Sequence, residues 1–133
     1  MSQENVELAR KLFEAHRAGG IDAVLPFYPS DVRMSPGRNW VEEPVYHGHE
    51  GVRTLNGLFA ENFDDWGWVV HEIRDAGDQV VALVEMTGRI KGSGVPVSTR
   101  QGIVASDFRA GTVADLRFFD SWEEALEAVG LEE

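Results

Sequence analysis

The stretch from Asp78 to Asp120, DQVVALVEMTGRIKGSGVPVSTRQGIVASDFRAGTVADLRFFD, constrains this chain more than any other. Residues 79–91 are dense in valine and other strand formers. Gly92-Ser93-Gly94 and Ala110-Gly111-Thr112 are glycine turns on either side of a second strand, 95–109. Pro96 sits near that strand's start, where a missing donor is tolerated. A third strand follows over 113–120. Three long antiparallel strands joined by tight turns need something to cover one face, and the flanking segments supply it.

Ahead of this stretch, Val6, Ala9, Leu12, Phe13 and His16 recur at helical spacing, so 3–18 reads as an amphipathic helix. Ser2 is its N-cap and Gly19-Gly20 its stop. A short second helix, AVLPFY, cannot run far past Pro26. Val32–Met34 is a short strand ended by Pro36-Gly37. Residues 37–48 form a long loop, the kind that often carries binding function. Trp40 and Tyr46 in that loop are costly to leave wet, so they fold back onto the body. His49 to Trp66 returns to helical period. Trp68–Ile73 is a strand, and Asp75–Asp78 a turn. After the long strands, Ser121 and Glu124 have capping-box spacing, and the helix EEALEAV ends at Gly130. Helices first and strands grouped later indicate an α+β fold with the helices on one face of a curved sheet.

At 133 residues the chain is one domain, residues 1–133. Its formal net charge of −11 argues against nucleic acid and anionic membrane surfaces as partners. No cysteine is present, which excludes disulfides and thiolate chemistry. No apolar run approaches membrane-spanning length and no signal peptide is visible, so a cytoplasmic location is expected.

Strand alternation assigns faces. Val80, Ala82, Val84 and Met86 suit the concave side under the helices. Thr99, Gln101, Ile103 and Ala105 match them on the middle strand, and Leu116, Phe118 and Asp120 on the last. Asp120 is the leading catalytic candidate. A carboxylate among aromatics has its pKa raised by desolvation, which suits general acid/base work. The competing role for Asp120 is to help cap the last helix. Phe13, Trp40, Tyr46, Phe63 and Trp66 are candidate aromatic pocket walls, with Met86 and Phe118 beside them. Gln101 and His47 are candidate hydrogen-bond donors to a ligand. His47-Gly48-His49 has chelating spacing but no third ligand, so no metal is expected, and no cofactor. His16, on an apolar stripe, reads as a core histidine. Glu85 and Arg89, four apart on the outer face, read as an ion pair.

In order and spacing the chain resembles the SnoaL-like branch of the nuclear transport factor 2-like superfamily. The resemblance rests on NVELARKLFEAHRAGGIDAV, VYHGHEGVRTL, DAGDQVVALVEMTGRIKGSGVPV and FFDSWEEALEAVGL, and it covers nearly the whole chain. It implies a cone-shaped curved antiparallel sheet with helices packed on its concave face, closing an apolar pocket. It also implies a homodimer through the sheet's outer face. The superfamily holds cyclases, isomerases, epoxide hydrolases and non-catalytic binding modules, so fold does not name the activity. In SnoaL-like cyclases a sheet aspartate is the acid/base, and Asp120 is the nearest match. The ketosteroid isomerase pattern is not met: Leu12 and Phe13 stand near the tyrosine position, Ser35 near the first aspartate, and Ile103 or Ala105 near the second. The epoxide hydrolase arrangement lacks its second aspartate, since Lys91 stands two beyond Arg89. The expected function is binding of a small, mostly apolar molecule, with or without acid/base turnover.

Overall fold

The computed structural model describes residues 2–37, 40 and 43–132. Helix α1 spans Ser2–Val24, followed by a single 3-10 turn, Leu25–Phe27, and the short strands β1, Arg33–Ser35, and β2, Tyr46–His47. Helix α2 is Gly48–Asn62. The meander is β3, Phe63–Asp75, β4, Val80–Ile90, β5, Pro96–Arg109, and β6, Thr112–Phe119. Helix α3, Trp122–Ala128, closes the chain.

Among the described residues, six strands form one sheet in the order β2-β1-β6-β5-β4-β3. Four of the pairings are antiparallel, but β1 runs parallel to β6, with Met34 opposite Leu116. The sheet is therefore mixed, not antiparallel throughout. The meander carries β6 back to the free edge of β1 in the same direction, and the long excursion through α2 allows a parallel neighbour.

Apolar residues from α1, α2 and the concave face form the main core, among them Leu12, Val52, Leu55, Phe59, Val84, Ile103 and Phe118. A second core lies on the opposite face, where Ala125 and Leu126 of α3 cover Val81, Leu83 and Val104. Only α1 and α2 pack on the concave side, so the expectation for the helices fails for α3. The reason is written in β4. Val80–Val84 is apolar and buried at every position, as a strand covered on both faces must be. Gly102 permits the close approach of α3: a Cβ there would stand 2.2 Å from the Cβ of Ala125.

As the glycine pair predicts, Gly20 interrupts α1 with φ of 70°, and a short second helical stretch follows it to Val24. One boundary differs from the sequence expectation. Helix α2 ends at Asn62, and Trp66 lies on β3. The helical stripe continued through Phe63 and Trp66 because a strand beginning with a bulge also places apolar residues three apart. That bulge falls between Asp64 and Gly67, and Asp65 has φ of 54°. Ser121 caps α3 as expected, accepting from the Glu124 backbone N–H at 3.1 Å. Among the described residues no helix is long and apolar enough to cross a membrane.

Candidate functional site

Helix α1 turns Leu12, Phe13 and His16 toward the sheet, and α2 turns Val52, Leu55, Asn56 and Phe59 toward the same space. Trp66, Trp68, Ile103, Leu116 and Phe118 form the floor. Ile21, Val24, Tyr28 and Met34 close the remaining side. The open volume is about 60 Å³, room for a few waters. Aromatic rings take up much of the cone. Phe59 stacks on Trp66 at 5.1 Å between centroids, Trp66 meets Trp68 edge-on at 5.9 Å, and Trp40 lies 5.5 Å from Phe59.

Among the described residues, His16, Asn56 and Tyr28 bring polar groups to this pocket. The His16 ring lies 5.0 Å from that of Trp66. Burial pushes its pKa below the usual histidine value, and a hydrogen bond with the Asn56 side chain offsets part of that. The ring is therefore neutral at pH 7, one nitrogen donating and the other accepting. Tyr28 is buried, and desolvation raises its hydroxyl pKa. Among the described residues no carboxylate lines the pocket.

The expected site residues divide into groups. Phe13, Trp66 and Phe118 line the pocket. Met86 and Tyr46 are buried in the main core, and Phe63 packs against it, but none of the three reaches the open space. Trp40 folds back as expected, its indole N–H donating to the Tyr46 hydroxyl at 2.9 Å. His47 is exposed at the end of β2, immediately before α2. The neighbouring His49 instead donates through Nε2 to the Tyr28 carbonyl oxygen at 2.8 Å. Gln101 lies on the concave face opposite Val84. Asp120 borders a separate shallow groove with Ser35, Trp40, Arg117 and Glu124. It follows the Gly102–Phe119 pair, so one further step of register sets it across from Gln101. The described residues hold no metal-binding group of three histidine or acidic side chains.

Glu85 and Arg89 do not pair. Glu85 accepts from the Ser98 hydroxyl and from His71 Nε2, the latter at 2.9 Å, and these bonds hold its carboxyl below the usual range. Arg89 reaches the Gly94 carbonyl oxygen at 3.3 Å. Successive residues on one strand face diverge with the sheet's twist, so the cross-strand partners win.

Sequence reasoning passed over His16 as a core residue and did not single out Asn56, Tyr28 or Trp68. A usable signal existed. Asn56 interrupts the apolar stripe Val52-Leu55-Phe59, just as His16 interrupts that of α1. A polar residue on the buried stripe of each of two facing helices marks where the stripes meet a cavity.

An α+β cone with helices over a curved sheet and an apolar pocket between them is the nuclear transport factor 2 and ketosteroid isomerase-like architecture, and solved structures agree. A candidate SnoaL-like polyketide cyclase from Jannaschia sp. CCS1 superposes with a TM-score of 0.74 at 23% identity, covering 99% of this chain and 95% of that one. A ketosteroid isomerase-like protein from Catenulispora acidiphila DSM 44928, in complex with trimethylamine, gives 0.73 at 16% identity over 95% and 94%. TerC, co-crystallised with polyporic acid, gives 0.74 at 15% over 94% and 97%. No curated protein sequence matches the chain. The SnoaL-like domain family matches residues 9–116, and the chain belongs to that family.

Proposed function

We propose that this chain binds a small, mostly apolar molecule between α1, α2 and the sheet, anchored at its polar end by His16 and Asn56. The observation that carries this reading is the pocket wall, which among the described residues is mostly apolar, with polar groups from His16, Asn56 and Tyr28. Apolar walls with a few converging polar groups are the usual make-up of a small-molecule site. A neutral imidazole and an amide suit a carbonyl or hydroxyl better than a full charge, which would be poorly solvated there. The small molecules held by two relatives of the same fold support a pocket of this kind.

The second reading is an acid/base enzyme, a cyclase, isomerase or hydrolase. His16 favours it: its neutral imidazole lines the pocket with one nitrogen free to act as a base. Asp120 would serve it only for a molecule extending past Phe118 toward the groove. The resemblance further suggests a homodimer. Its interface would be the part of the outer face beyond α3, where His71, Glu85, Ser98 and Arg100 gather.

The test is a thermal-shift screen with apolar carbonyl, polyketide-like and epoxide compounds. A ligand that binds only the folded chain raises its melting temperature. The expected result is a hit whose shift shrinks in His16→Leu and survives in Asp120→Asn. A shift lost in Asp120→Asn but kept in His16→Leu would move the polar anchor to the groove. No shift with any compound class would leave the dimerisation or interaction module as the better reading.

A further inference from the structure

Gln101 is a polar side chain that the fold leaves unsatisfied. Its Oε1 is buried and, among the described residues, has no hydrogen-bond partner. Buried amides in folded proteins are nearly always paired, and an orphan destabilises the structure that holds it.

The register shows what stands beside it. On the concave face, Trp68, Met86 and Thr99 form one cross-strand row. Val70, Val84 and Gln101 form the next. Ile73, Ala82, Ile103 and Phe118 form the third. Trp68 on β3 and Phe118 on β6 stand three strands apart, about 14 Å in a flat sheet. Their ring centroids nonetheless lie 5.8 Å apart. Sheet curvature and two large side chains close that gap, and the contact runs diagonally over the middle row, between Val84 and Gln101. Trp68, Ile103 and Phe118 line the pocket and Gln101 does not. By register, the aromatic pair stands between the pocket and the row that holds the orphan amide.

Trp68 is held differently from two other tryptophans of this chain. The Trp40 indole donates to Tyr46 and the Trp122 indole to the Val84 carbonyl oxygen. The Trp68 indole makes no such bond among the described residues and is held by ring contacts with Phe59, Trp66 and Phe118. Its ring can swing without breaking a hydrogen bond. A pocket of about 60 Å³ admits little beyond water until something moves.

We propose that Trp68 is a movable wall and Gln101 a second polar anchor, so that the site takes a flat aromatic or alicyclic molecule bearing a hydroxyl. Displacing the Trp68 ring joins the pocket to the amide, and the ligand hydroxyl hydrogen-bonds to Gln101. A hydroxyl both donates and accepts, so it satisfies the amide in either orientation. Flat rings match walls built from Phe59, Trp66, Trp68 and Phe118. The proposal rests on the reading that this pocket binds a small, mostly apolar molecule.

The test is a matched pair of probes, naphthalene and 2-naphthol, titrated against the full chain by tryptophan fluorescence. The variants are Gln101→Met, which conserves volume, and His16→Leu. The expected result is a preference of about tenfold for 2-naphthol, the size of one buried hydrogen bond. That preference should disappear in Gln101→Met and persist in His16→Leu. Free Gln101→Met should melt no lower than the parent chain, because it removes an orphan. A preference that survives in Gln101→Met and is lost in His16→Leu assigns the hydroxyl to His16 and overturns the proposal. A lower melting temperature for Gln101→Met shows the amide already bonded in the free protein and overturns it too. Equal binding of both probes keeps the pocket and removes Gln101 from it. Binding of neither overturns both readings.

Discussion

At the scale of the residue, His16 carries the sharpest consequence. Burial disfavours its charged form, and the Asn56 hydrogen bond only partly compensates. The folded-state pKa therefore lies below the unfolded value of 6.5. Above that value both states are neutral and the residue adds no pH dependence. As the pH falls through and below it, the unfolded chain takes up a proton that the folded chain resists, so stability falls. The loss levels off below the folded pKa. Urea melts between pH 7.5 and 5 should show a shallower decline for His16→Gln than for the parent chain. Parallel pH profiles would mean that His16 is protonated as readily in the folded chain as in the unfolded one. The same residue shows where sequence reading stopped. Periodicity placed His16 on the buried stripe, and correctly. It could not say whether that stripe met side chains or open space, because this depends on Asn56 and Trp66, 40 and 50 residues away.

At the scale of the element, most of the architecture was legible. Turn glycines and alternation placed β4, β5 and β6 within a residue or two, and the Ser121 cap placed α3. Alternation also put Val84, Gln101, Ile103 and Phe118 on one face. What escaped was the side on which α3 lands and the parallel entry of β1, because both are tertiary choices. The docking of α3 hinges on Gly102. A Cβ there would stand 2.2 Å from the Cβ of Ala125 and 3.3 Å from the Ser121 carbonyl oxygen. Gly102→Ala must push the helix off the sheet, against Leu126 packing and the Trp122 bond to the Val84 carbonyl oxygen at 2.9 Å. The expected cost is about 2 kcal/mol, typical of overpacking. Ala125→Gly in the same chain should recover part of it, less the helix propensity that glycine forfeits. A double-mutant cycle by chemical denaturation reads the coupling. Strict additivity would show that the helix accommodates the methyl elsewhere, and that Gly102 is there for another reason.

At the scale of the whole molecule, charge dominates. The formal net charge of −11 on 133 residues repels itself in the compact state more than in the expanded one. Opposing this are surface ion pairs, such as Arg109 with Asp31 and Asp107 at 2.8 and 2.9 Å and Arg33 with Asp115 at 3.2 Å. The Arg109 pairs are exposed, and water screens such pairs so that each contributes little. Salt weakens both effects, since the screening length shrinks to about 8 Å at physiological ionic strength. The pairs act within a few ångströms and keep part of their attraction. The net repulsion acts over the molecular diameter and loses most of its strength. The melting temperature should therefore rise as sodium chloride is raised from about 0.01 M to about 0.15 M. The proposed homodimer would bring two such charges together, so its association should strengthen over the same range, as sedimentation equilibrium would read. A melting temperature that falls with salt would make the ion pairs, above all the Arg109 cluster, the larger electrostatic contribution to the fold. A dimer that weakens with salt would point to an interface held by opposite charges, for which the half-buried Glu85 and the exposed Arg89 and Arg100 of the outer face are the first residues to substitute.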